Sequence, residues 1–155
     1  MKKALFSDGI DTEVRGLPAR SGAHGGTARL FPTLPTILPT IRSFLRGQAT
    51  KAGLGEQTTY DVVLAVCEAC ANSLRHTVSP QIRLTWRVLP YAVEVDVEDG
   101  GVFPSVVVDA EGVWSGEGVG IPLMVAMTDE VVIHQGTDAH PGTLVRLVKH
   151  LPAPP

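Results

Sequence analysis

Residues 67–76, CEACANSLRH, hold two sets of side chains that could do chemistry. Cys67 and Cys70 spell C-x-x-C, the spacing of a redox pair or of half a metal site. Glu68, Asn72 and His76 recur every four residues, which on a helix is one face. A carboxylate there can act as general base, and a carboxamide oxygen is a hard ligand suited to a hard cation. Downstream, VEVDVEDGG places Asp99 where an alternating strand runs out, with Gly101 two residues on. Further on, GEGVG sets Gly116, Gly118 and Gly120 directly before an apolar run. Glycines at the mouth of a helix let backbone N–H groups approach an anion, and the helix dipole favours it.

The cysteines are the weaker set. A redox C-x-x-C normally sits at a helix N-terminus, where the dipole lowers a thiol pKa. This pair falls mid-helix on the apolar stripe. A zinc site needs two more ligands at suitable spacing, and the chain has no second C-x-x-C. Two small core residues is the favoured reading. Glu68, Asn72 and His76 taken alone read equally well as a wet helix face. The order E-x-x-x-N, then D-x-G after a strand, then G-x-G-x-G before a helix is what separates them from one.

Those groups need elements to hold them. Residues 1–26 are rich in Gly, Ala and Arg and read as a flexible arm. TARLFP (27–32) suits an edge strand. A helix is expected from about Leu38 through TIRSFLRGQATKAG, ended by Gly53 and Gly55. A second is expected from about Gln57 to His76. On it Val63, Val66, Cys67, Cys70 and Leu74 share a stripe, with Asp61, Glu68, Asn72 and His76 on the nearly opposite one. Residues 81–99 alternate as a hairpin that turns at Leu89-Pro90-Tyr91. Residues 102–117 read as irregular. GVGIPLMVAMTDE (118–130) reads as a helix opening from a glycine-rich turn, with Pro122 tolerated in its first turn. EVVIHQG and GTLVRLVKHL close the chain as a strand pair, and 152–155 is a tail. The order implies an α+β two-layer sandwich, with helices on one face of a mostly antiparallel sheet.

The whole chain narrows the class. At 155 residues, 44% hydrophobic and 19% charged, it suits one ordinary globular domain. No apolar run approaches the roughly 20 residues of a membrane span. The N-terminal MKKALFSDGI lacks the long apolar stretch of a secretory signal. With two cysteines three apart, no disulfide framework is available, so a cytoplasmic location is expected. A net charge of −3 argues against a nucleic-acid partner. Between Arg87 and Arg146 there is no Lys or Arg, while ten acids lie there. Most of those acids read as solvated surface. An anion bound in that stretch needs backbone N–H groups or a metal cation.

LAVCEACANSLRH, VEVDVEDGG, GEGVGIPLMVAM and the closing PGTLVRLVKHL together resemble the N box, two glycine boxes and Gly-Thr strand of the gyrase, heat-shock-chaperone, histidine-kinase and MutL (GHKL) ATPase superfamily. More closely, the chain resembles the bacterial anti-sigma-factor serine/threonine kinases, over about residues 27–151. The resemblance implies a Bergerat-type ATP-binding fold and the cofactors ATP and Mg²⁺. It implies that Asn72 ligates Mg²⁺ and that Glu68 is the general base. Asp99 is then the acceptor for the adenine amino group, with Gly101 leaving room for the base and Thr143 supporting both. Gly116, Gly118 and Gly120 cradle phosphates. The implied partners are a small anti-anti-sigma protein of the STAS type and a sigma factor, with a homodimer as the implied assembly.

Two departures stand out. Phe103 occupies the position where the first glycine box often has a second glycine. The segment corresponding to the lid has no basic residue to meet a γ-phosphate. ATP binding is therefore better supported than kinase turnover, and a second function stays open. The chain could be a nucleotide-dependent partner-switching module that does no phosphoryl transfer.

Overall fold

The computed structural model describes residues 3–8, 26–77, 79–101, 107–108, 114–115, 120–135 and 141–152. In chain order these form strands β1 (Lys3–Asp8) and β2 (Thr27–Pro32), a 3-10 turn (Pro35–Ile37), and helices α1 (Leu38–Lys51) and α2 (Glu56–His76). Strands β3 (Gln81–Leu89), β4 (Ala92–Asp99), β5 (Val107–Val108) and β6 (Trp114–Ser115) follow, then helix α3 (Gly120–Met127) and strands β7 (Glu130–Gln135) and β8 (Thr143–His150). This is the expected α+β fold.

The sheet grows from the β3–β4 hairpin, which turns at Pro90 and Tyr91 in a register running from Leu89↔Ala92 to Arg83↔Glu98. Its full order is β1-β7-β8-β4-β3-β2. Every neighbouring pair is antiparallel except β1 with β7, which run parallel from Lys3↔Glu130 to Asp8↔Gln135. That edge corrects the expected flexible arm, because residues 3–8 of it are a paired strand. A second difference falls in the stretch expected to be irregular, where β5 and β6 pair as a two-residue ladder.

Period-2 alternation puts Ile82, Leu84 and Trp86 of β3, with Val93, Val95 and Val97 of β4, on one face. They join Val131 and Ile133 of β7 and Val145 and Leu147 of β8 in a single core under the helices. Helix α1 contributes Ile41, Leu45 and Ala49. It ends in a Schellman turn, in which the Leu54 N–H donates to the Ala49 carbonyl and the Gly53 N–H to that of Thr50, both at 3.0 Å. Gly53 takes φ +72° there, the left-handed geometry that glycine adopts without a Cβ penalty.

The opposite face of β4 is where the sequence reading most needs correcting. Glu94 and Asp96 were expected among solvated acids, yet both are buried, Asp96 completely. Arg146 on β8 meets Asp96 with two donors, Nε to Oδ1 at 2.7 Å and Nη2 to Oδ2 at 2.9 Å, and its Nε lies 2.6 Å from Glu94 Oε1. Arg87 on β3 adds Nη1 to Asp96 Oδ2 at 2.6 Å. Buried carboxylates persist only when paired and hydrogen-bonded, and the two strands flanking β4 supply both arginines. Glu98, farther along the same side, has its carboxyl pushed up by burial, an effect that Arg83 opposes.

Candidate functional site

The site is built where α2, the end of β4 and the start of α3 converge. Helix α2 starts after Gly55 and stops at Thr77, whose N–H still reaches the Ser73 carbonyl at 2.9 Å. Its apolar side carries Val62, Val63, Ala65, Val66, Ala69 and Cys70 into the core, with Cys67 and Leu74 packed at the margin. Desolvation raises the Cys70 thiol well above its ordinary value and raises that of Cys67 as well, with Arg42 opposing the shift at Cys67. Neither thiol has the depressed pKa of a redox nucleophile.

On the polar side Asn72 meets Gly120. Glu68 is half-buried, one turn before Asn72. Asn72 is 7% exposed, and its Oδ1 accepts a hydrogen bond from Nη2 of Arg75. Gly120, the buried first residue of α3, sits directly on this side chain. A Cβ on Gly120 would fall 2.9 Å from Asn72 Nδ2 and 3.2 Å from its Oδ1. Two segments expected to cooperate thus meet at one carboxamide.

Asp99 ends β4, and both its carboxylate oxygens are engaged. Oδ1 accepts the Gly101 N–H at 2.7 Å and Oδ2 accepts the Ser73 hydroxyl at 2.5 Å. Thr143, 4% exposed and opposite Asp99 in the sheet register, donates its hydroxyl to the Gly101 carbonyl at 2.9 Å. Asp99, Gly101 and Thr143 therefore form one bonded unit. Gly101 is glycine for a reason the sequence reading did not give: its Cβ would lie 2.6 Å from Thr77 Oγ1 and 2.8 Å from Thr77 Cα. The close neighbour is the end of α2.

Gly116 and Gly118 lie outside the described residues, as do Phe103 and Glu117. His76 is the last residue of α2. Among the described residues, no group of three or more His, Cys, Asp and Glu side chains is placed to hold a metal by itself. A cation here would take one protein oxygen, that of Asn72, with the rest of its shell from ligand and water, which is how Mg²⁺ is usually held. The Asn72 oxygen is buried and accepts from Arg75, a bond that a cation on that oxygen would have to displace.

Sequence reasoning missed Ser73. A signal for Ser73 was present. Seven residues after Val66 and three after Cys70, it lies on the apolar stripe, where a polar side chain needs a buried partner.

The profile of the histidine kinase-like ATPase domain matches residues 31–149. The chain belongs to that family. Serine-protein kinase RsbW of Bacillus subtilis (strain 168) is 29% identical over 140 residues, covering 77% of this chain and 82% of that protein. Among solved structures, the RsbU and RsbW domains of Rv1364c from Mycobacterium tuberculosis superpose with a TM-score of 0.61 at 19% identity, over 82% of this chain. The match spans 34% of that longer polypeptide, and the likeness is one of fold. No helix among the described residues is long and apolar enough to cross a membrane.

Proposed function

We propose that this chain is an ATP-binding regulatory serine/threonine kinase of the anti-sigma-factor type. The observation that carries the reading is the convergence on α2: Asn72 lies against Gly120, and its neighbour Ser73 bonds Asp99. A metal-ligating oxygen, a base-recognising carboxylate and a helix mouth are joined through two consecutive residues. The kinase name of the Bacillus subtilis relative supports the same direction.

In this reading the ATPase unit spans residues 27–151 together with β1, is cytoplasmic, and acts as a homodimer. Bound Mg-ATP supplies an electrophilic phosphoryl group. Asn72 Oδ1 ligates the Mg²⁺, and Gly120, with Gly116 and Gly118, lets backbone N–H groups face the phosphates. A metal on Asn72 Oδ1 would displace the Arg75 guanidinium now bonded there, leaving its positive charge beside the site to offset what the lid sequence lacks. Asp99 accepts the adenine amino group, and Thr143 holds the Gly101 carbonyl beside it. Glu68 accepts the proton of an incoming serine or threonine hydroxyl. The protein substrate is a small anti-anti-sigma partner of the STAS type, and a sigma factor is bound when that partner is absent.

Radiolabelled phosphate transfer to a cognate partner tests the reading. Glu68→Gln is expected to reduce transfer by about 100-fold or more while Mg-ATP still binds. Transfer unaffected by the substitution would remove Glu68 as base. Tight Mg-ATP binding with no phosphoprotein formed would favour a partner-switching module without turnover, the reading kept alive by the absence of Lys and Arg between Arg87 and Arg146.

A further inference from the structure

Ser73 plays no part in the roles assigned so far, yet it makes one of the tightest side-chain contacts of the site. Its Oγ donates to Asp99 Oδ2 at 2.5 Å, the short range of a hydroxyl on a carboxylate. It is 7% exposed and sits on the buried face of α2, between Cys70 and the C-terminal cap at Thr77.

A lone carboxylate at a strand end can rotate about its Cβ–Cγ bond. Here the Gly101 N–H holds one oxygen from the loop and the Ser73 hydroxyl holds the other from the helix. Any turn of the carboxylate plane breaks both bonds at once. Each oxygen keeps an unused lone pair, and the direction of that lone pair is fixed from two sides, by the helix and by the loop packed against its end. A hydrogen bond discriminates well between ligands when its acceptor is held in place and would be left unpaired by the wrong partner.

We infer that Ser73 is a positioning residue for nucleobase selection, clamping Asp99 so that its free lone pair meets an exocyclic amino group of the purine. The inference rests on the proposed ATP site. Ser73 also couples the two ends of that site, because it is the residue next to Asn72.

The test compares Mg-ATP with the triphosphate of purine riboside, which lacks the amino group, by titration calorimetry on wild type, Ser73→Ala and Ser73→Thr. Wild type is expected to prefer ATP. Ser73→Ala is expected to lower that preference roughly three- to tenfold, the value of one hydrogen bond, chiefly through weaker ATP binding. Ser73→Thr keeps the hydroxyl and is expected to restore the preference. Because the readout is a ratio within one protein, a general loss of stability cancels from it. An unchanged ratio in Ser73→Ala, with ATP still bound and preferred, would overturn the role of Ser73 and leave the ATP site standing. If wild type bound neither nucleotide, both inferences would fall together.

Discussion

Two glycines of the site are glycine because of different neighbours, and the neighbours set what a methyl group would do. At Gly101 an added Cβ meets the backbone of Thr77, 2.8 Å from its Cα. The end of α2 cannot give way cheaply, so Gly101→Ala is expected to destabilise the fold by about 1–3 kcal/mol, the usual range for overpacking. At Gly120 the obstacle is the far end of Asn72, 2.9 Å from Nδ2. That side chain can turn aside at little cost, but in turning it takes Oδ1 away from the position proposed for the metal. Gly120→Ala is therefore expected to leave the thermal midpoint nearly unchanged and to weaken Mg-ATP binding at least tenfold. Thermal melts and nucleotide titrations on the two variants check this, and the reverse pattern would contradict both assignments. Helix and strand periods, taken in order along the chain, brought out Glu68, Asn72, Asp99 and Gly120 as candidates, and the resemblance supplied their roles. The reason for Gly101 was not legible. It lies in a contact between residues 77 and 101, and no local pattern encodes that approach.

At the scale of elements, the helices and the central hairpin were legible because each has a strong period and a stop signal. Gly53 closes α1 with a left-handed turn, and Pro90 sits in the β3–β4 turn. The acids of β4 were misjudged for a physical reason. Alternation showed that Glu94 and Asp96 share a face opposite the valines, but not that Arg87 and Arg146 cover that face from both flanking strands. Pairing between strands decides burial here, and it joins residues 50 positions apart. The cluster makes Arg146 a structural residue. Arg146→Met would strip Glu94 and Asp96 of the guanidinium they share and leave buried carboxylates undercompensated. It is expected to cost about 3–5 kcal/mol, measured by chemical denaturation. Glu130→Gln, which removes an exposed pairing 3.8 Å from His150, is expected to change stability little. Equal effects from the two substitutions would mean that the Arg146 cluster is no more desolvated than an exposed pair.

At the scale of the molecule, the pairing of β1 with β7 sets the first strand against the seventh, more than 120 residues apart in sequence, and no short-range signal announces such a contact. The same scale governs what ligand binding does to stability. The elements that meet at the site, α2, β4, α3 and β8, are also those that enclose the core, so a ligand held by Asn72 and Asp99 ties the helical layer to the sheet. A ligand that binds only the native state adds RT ln(1 + [L]/Kd), about 2.7 kcal/mol at a hundredfold excess over Kd. For a domain of this size that corresponds to a rise of roughly 5–10 °C in thermal midpoint. Mg-ATP is expected to produce a rise of that order in wild type, and Mg-GTP a much smaller one. Asp99→Asn presents an amide that can turn its NH₂ toward the base, so the advantage of ATP over GTP is expected to shrink in that variant. The two arms separate recognition from attachment. A shift caused equally by both nucleotides in wild type would mean that phosphate and metal contacts carry binding and that Asp99 does not read the base. A shift from neither would place nucleotide binding outside what this chain does, and would leave the Ser73–Asp99–Gly101 unit as the hinge of a packed but unliganded helix end.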